Sequence, residues 1–196
     1  MTPPGESRTA QPPPDQGLAG PVGWLVLVYR VPSEPSRLRA TVWRRLKGHG
    51  AIYLQNSVAA LPDSPAAERA MRGLRAEIGE LGGTAQLLRS TVLVGAADIS
   101  ESYNSVRDDE YDEIVDKCGD FLAEIANETA AEHFTFAELE ENDEDLTKLR
   151  RWLEKIAARD ALLAPGAGAA QTALAACVRA LEAFAGRVYD ADADGS

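Results

Sequence analysis

Arg37, Arg39, Arg44, Arg45 and Lys47 crowd into one short stretch, RLRATVWRRLK, and side chains of this type can hold phosphates or another oxyanion through charge-assisted hydrogen bonds. On a helix, Arg37, Arg44 and Lys47 project away from Leu38, Val42 and Leu46, with Arg39 and Arg45 at the flanks. Arg30, at the end of the preceding apolar run, adds a further cation. The same spacing suits a plain solvated helix face, and both readings stand at this point. Other chemistry is sparse. His49 and His133 are far apart, no HExxH or ExxH occurs, and Cys118 and Cys177 lack metal-ligand spacing. Asp190, Asp192, Asp194 and Gly195 copy the opening of a calcium loop without its closing glutamate, so they read as a frayed acidic tail. Gly166-Ala167-Gly168 lacks the third glycine and the preceding strand of a dinucleotide fingerprint, and reads as a linker. The acidic run Glu140, Glu141, Asp143, Glu144, Asp145 could recruit a basic partner or a cation, but suits a solvated face better. No catalytic group, metal or cofactor is expected.

The basic stretch needs elements to position it. Trp24 to Tyr29 is an unbroken apolar run too short for an independent helix, and reads as a strand buried on both faces in the middle of a sheet. Pro32 and Pro35 stop it, and Pro35 with Ser36 opens the basic helix, which Gly48 and Gly50 end. Ala51 to Gln55 and Val58 to Leu61 flank Asn56-Ser57 at hairpin spacing. Ser64 as N-cap and Pro65 as first helical residue begin a second helix with the stripe Met71, Leu74, Ile78 and Leu81; Gly82-Gly83 ends it. Thr84 to Val94 reads as a final long strand. The expected fold class is α+β: a ferredoxin-like βαββαβ domain over residues 22–98 with a three-helix appendage over 99–189.

Beyond residue 98 the apolar period is helical. Val106, Ile114, Val115, Cys118, Phe121, Leu122 and Ile125 make one stripe, with Asp108, Asp109, Glu110, Asp112 and Glu113 expected in the first turns, where the helix dipole favours acids. Thr135 to Glu138 is a capping box, followed by Leu139, Leu146, Leu149, Leu153 and Ile156 at near-heptad spacing with Trp152 beside the seam. Leu174, Cys177, Val178, Leu181, Phe184 and Val188 form the last helix. Both cysteines lie in apolar stripes, as in a reduced, cytoplasmic protein whose thiols pack as small hydrophobes. Residues 1–21, rich in proline, are expected to be a disordered arm, and 190–196 a disordered tail. No membrane segment is visible. Of the 196 residues, 1–100 carry 11 Lys+Arg against 8 Asp+Glu, and 101–196 carry 9 against 23, so a net −11 chain divides into +3 and −14 halves. An acidic protein with a locally basic domain can still present a basic face.

Several stretches resemble one family. VYRVPSEPSRLRATVWRRLKGHGAIYLQNSVAALP, ELGGTAQLLR, YNSVRDDEYDE, FTFAELEENDEDLTKLRRWLEKIAARD and LAACVRALEAFAGRVY are similar to the N-terminal region of the chromate-resistance regulator ChrB, over about residues 24–190. The resemblance implies a non-enzymatic regulator of chromate-resistance operons, with double-stranded promoter DNA and chromate or another oxyanion as partners. Longer ChrB proteins carry a further C-terminal domain, and the resemblance here is to their N-terminal region. The strand, Arg-rich helix and Leu54-Gln55-Asn56-Ser57-Val58 also resemble the ferredoxin-like domain of PaaX-type repressors and of small CRISPR-associated adaptation nucleases, which implies a homodimer. PaaX-type repressors carry a winged helix ahead of that unit, and residues 1–20 are too short for one, so DNA binding would fall to the basic helix. Arg30 stands where those nucleases place a metal-holding aspartate, and a guanidinium is electrostatically unsuited to a cation. The alternatives are an interaction scaffold without DNA binding and, third, a nuclease remnant.

Overall fold

The computed structural model of the protein describes residues 22–34 and 36–194. The expectations for the proline-rich arm, for Pro35 and for the last two residues lie outside them. Nine elements follow in the order β1 (Gly23–Arg30), α1 (Arg37–Gly48), β2 (Ile52–Gln55), β3 (Val58–Pro62), α2 (Pro65–Glu80), β4 (Thr84–Thr91), α3 (Ala96–Ala130), α4 (Phe136–Ala157) and α5 (Ala167–Asp194). The protein is α+β, with a four-stranded antiparallel sheet ordered β2-β3-β1-β4 and five helices.

β1 is central, as its apolar run requires. It pairs with β3 from Trp24↔Pro62 to Val28↔Val58, and with β4 from Gly23↔Thr91 to Arg30↔Thr84. Leu25 and Leu27 are fully buried and point to the face that α1 and α2 cover with Val42, Leu46, Met71, Leu74 and Ile78. Arg89, the register partner of Leu25, reaches Glu68 of α2 at 2.6 Å on that side. The opposite face is only partly covered, which corrects the expectation of a strand buried on both faces. Trp24 is sealed there by Tyr103 of α3, ring centroids 5.9 Å apart, but Val28 and Leu88 stay 38% and 48% exposed.

β4 ends at Thr91 rather than Val94, because β1 begins at Gly23 and offers no ladder partner beyond that pair. Leu93 and Val94 are consequently 94% and 92% exposed. Ser64 caps α2, its Oγ accepting from the Ala67 N–H at 3.1 Å, with Pro65 in the first turn. Thr135 Oγ1 likewise accepts from the Glu138 N–H at 3.2 Å to start α4.

α3 departs most from the sequence expectation. Gly95, at φ +79, lets it start at Ala96, so Asp108 to Glu113 sit in mid-helix and only Asp98 occupies the first turn. Its buried face is Tyr103, Arg107, Tyr111, Ile114, Cys118, Phe121 and Ile125, while Val106 is 37% exposed. α5 starts inside the expected linker, where Asp108 Oδ1 accepts from the Gly166 N–H at 2.7 Å. It runs on to Asp194, through most of the segment expected to be a disordered tail.

Two apolar clusters result: one between the sheet, α1, α2 and Tyr103, the other among α3, α4 and α5. α3 carries the chain from one to the other without a break. At their joint Arg107, 1% exposed, donates from Nη1 to the Gly50 carbonyl at 3.0 Å. Its Nε lies 3.0 Å from Glu110 Oε2 at an angle suited to an ion pair rather than a hydrogen bond. Glu110 Oε1 also meets Arg159 Nη2 at 2.9 Å, and the Arg159 carbonyl accepts from the Tyr103 hydroxyl.

Removing one partner from a buried ionic group strands the others, at a typical cost of about 3–5 kcal/mol. Arg107→Ala should approach that loss in urea unfolding, because the Gly50 carbonyl is orphaned and a cavity opens. Arg107→Met should lose clearly less, since it refills the space and Glu110 keeps Arg159. Equal losses would show that the ionic network, not packing, sets the joint.

Cys118 and Cys177 are both fully buried, and the Cys177 thiol donates to the Cys118 carbonyl at 3.5 Å. Burial, then its contact with Cys118, pushes the Cys177 thiol from 9.0 up to about 12. Burial and next the Asp160 charge push the Tyr111 phenol from 10.0 to about 12. The folded chain holds these protons to higher pH than the unfolded chain does. Their contribution is therefore complete below about 9 and is lost as pH rises toward about 12. Unfolding free energy should fall between pH 8.5 and 11, and neither thiol should label quickly with a small disulfide reagent at pH 8. Fast labelling of the native protein would contradict this burial.

Candidate functional site

The basic stretch forms α1, amphipathic as its spacing requires, with Val42 and Leu46 buried, Leu38 half-buried, and Arg37, Arg39, Arg44, Arg45 and Lys47 all exposed. Arg30, also exposed, ends β1. The fold does not gather the six cations at one point.

Arg30 and Arg39 come together in a cleft of about 620 Å³, whose other walls are Tyr29, Val31, Trp43, Tyr53 and the hairpin turn Asn56-Ser57. Ser57 takes the left-handed conformation, φ +64, that the two-residue turn demands. The Tyr29 and Tyr53 hydroxyls lie 3.0 Å apart. Partial burial, followed by this contact with Tyr29, drives the Tyr53 phenol far above its ordinary value, so it stays neutral and available as a donor. Trp43 is 49% exposed, with Lys47 Nζ 5.5 Å from its ring centroid.

The remaining cations lie elsewhere on α1. Arg44 folds back so that its Nε donates to the Ala40 carbonyl at 3.3 Å. Arg45 turns toward α2, where its Nε is 3.6 Å from Glu77 Oε2, and part of its charge is neutralised there. Arg37 stands in the first turn, where its carbonyl accepts from Thr41 Oγ1. The charge reading of the sequence finds the cations but misses the aromatic partners. Trp43 falls at i+4 from Arg39 and i−4 from Lys47, a spacing that puts it on their face of the helix. Tyr29 and Tyr53 belong to different strands, and only sheet pairing brings them together.

Chemically, this is a surface that combines guanidinium groups, phenol hydroxyls and an open indole. Guanidinium groups of this kind can meet phosphates or other oxyanions, and an exposed indole can pack against a planar group. Among the described residues, no group of three or more His, Cys, Asp or Glu is placed to hold a metal ion. No helix among them is long and apolar enough to cross a membrane.

Fold and cleft thus define an α+β protein with a cationic, aromatic-lined surface on its sheet unit. Residues 39–195 match the family described as Protein ChrB, N-terminal, and the chain belongs to that family. No curated protein and no solved structure matches it.

Proposed function

We propose that this chain is a non-enzymatic cytoplasmic regulator of chromate resistance that binds duplex promoter DNA through α1 and the adjoining cleft. Membership of the ChrB N-terminal family supports the regulatory role, with chromate or a related oxyanion as the signal. The observation that carries the DNA part is the cluster of Arg30 and Arg39 beside exposed Trp43 and neutral Tyr53, continued along α1 by exposed Arg37, Arg44 and Lys47. Arg45 contributes less, being paired with Glu77. The free, buried cysteines suit a reducing compartment.

The sheet supports a ferredoxin-like reading of residues 22–98. Read from its other edge the order is β4-β1-β3-β2, with both connecting helices on one face and the helical unit of residues 99–189 following. A homodimer belongs to the same reading. The β2 edge is short and interrupted by a bulge, whereas β4 is an eight-residue edge without proline or bulge. Its one charge, Arg89, is tied to Asp63 and Glu68, and the exposed Leu93 and Val94 follow directly. An edge so little protected pairs readily, and antiparallel self-pairing of two copies closes it about a two-fold axis.

Duplex affinity of the full chain should fall steeply with salt, and Arg39→Ala and Arg44→Ala should each reduce the log–log salt slope by about one. Absence of binding at low salt would replace this reading with that of an interaction scaffold. DNA cleavage in magnesium or manganese that survives repurification would replace it with that of a nuclease remnant. Sedimentation at micromolar concentration should show a dimer, and Leu88→Lys with Leu93→Lys should shift it to monomer. A wild-type monomer would remove the dimer from the reading.

A further inference from the structure

A second cleft opens where the helical unit meets the sheet unit. Of about 510 Å³, it lies between the end of α1, the end of β3, the start of α2, and the last turn of α4. Its floor is apolar: Leu61, Pro62, Tyr103 and the small side chains Ala67, Ala70 and Ala158. Besides the Tyr103 phenol, the titratable groups that line it are His49, Lys155 and Arg159, the last paired with Glu110, and no carboxylate lines it. In a chain of net charge −11 this is a marked local reversal.

The start of α2 adds little, since Ser64 Oγ and the Ser64 carbonyl take up the Ala67 and Glu68 N–H groups and Pro65 has none. Beyond the Ala66 N–H in that first turn, recognition falls to the side chains. Arg159 is fixed by Glu110, whose oxygens lie 2.9 Å from its Nη2 and 3.3 Å from its Nε, and its carbonyl accepts from the Tyr103 hydroxyl. Part of its charge is met there, so it is a pre-oriented donor that can meet an anion at low ordering cost, and exposed Lys155 supplies the second cation. Lys155, one turn earlier on α4, and His49, beyond the end of α1, also line the cleft.

We infer that this cleft binds a small amphipathic organic anion, with an aliphatic or aromatic body against Leu61, Pro62 and Tyr103 and a carboxylate, phosphate or sulfonate head at Lys155 and Arg159. Because its walls come from both units, such a ligand clamps the joint that Arg107 makes with Gly50. A few fixed polar groups over an apolar floor are the usual make-up of a small-molecule site. The inference does not depend on DNA binding, and its test involves no DNA.

Calorimetric titration of the full chain with octanoate is compared with 1-octanol, which keeps the tail without the charge, and with acetate, which keeps the head without the tail. Octanoate should bind with one-to-one stoichiometry and at least tenfold more tightly than either. Lys155→Met, at an exposed position, should weaken it about tenfold or more, the loss of one charge-assisted hydrogen bond. Ala158→Phe should fill the slot and abolish binding, with the far-ultraviolet circular dichroism of the free protein showing that it still folds. Octanol binding as tightly as octanoate, or octanoate affinity unchanged in both variants, would overturn the assignment. Sulfate competing with octanoate at equal concentration would do so as well, since charge alone would then be recognised.

Discussion

The guanidinium of Arg107, buried against the Gly50 carbonyl, is the contact on which the relation between the two halves of the molecule depends. Burying a cation is costly unless its charge is compensated, and three groups do so here: the carbonyl by a hydrogen bond, the Glu110 carboxylate as an ion pair, and the face of Tyr103, whose ring centroid lies 5.3 Å away. The carbonyl can come so close only because residue 50 has no side chain. A Cβ there would lie 2.5 Å from Arg107 Nη1, and the backbone sits at φ +80, where other residues are strained. Gly50 therefore does two things, ending the turn after α1 and admitting Arg107.

From that contact the rest of the joint follows. Glu110 shares its carboxylate between Arg107 and Arg159, so the last turn of α4 is drawn to the same place as the start of β2. Tyr103, one turn before Arg107, seals Trp24 and hydrogen-bonds the Arg159 backbone, while Tyr111, one turn after, donates to Asp160 at 3.1 Å. Asp160 in turn accepts from the Ala164 N–H, and Asp108 from that of Gly166, which fixes the path into α5. One face of α3 thus orients sheet, α4 and α5 together, and the interfacial cleft is the space these contacts leave.

The charge asymmetry acquires a spatial meaning in this arrangement. The cationic cleft of α1 sits on the sheet unit beside the β2-β3 hairpin, whereas Glu140 to Asp145 lie on α4 in the other unit. Exposed charges interact over roughly 8 Å at physiological salt, so the connection through Arg107 governs how much the acidic helices lower the potential at the basic face. Membership of the ChrB N-terminal family extends from within α1 through α5, and so covers this joint as well as most of the basic helix.

Much of the fold was legible in the residues themselves. Short apolar runs, the period-3.6 apolar patterns, the Ser64-Pro65 and Thr135 caps and the Asn56-Ser57 turn determine each element's type and most of its bounds, because these are local effects of backbone geometry and desolvation. The six cations were legible too, but not that Arg30 and Arg39 would meet Trp43 and Tyr53 while Arg45 turned to Glu77, since those meetings depend on strand pairing and helix docking. The end of β4 was decided by where β1 begins, and the exposure of Leu93 and Val94 followed from it. Arg107 marks the limit most clearly. Read along the chain it belongs to a charged run, and only a glycine carbonyl 57 positions away, brought beside it by the tertiary fold, makes burial of its charge tolerable.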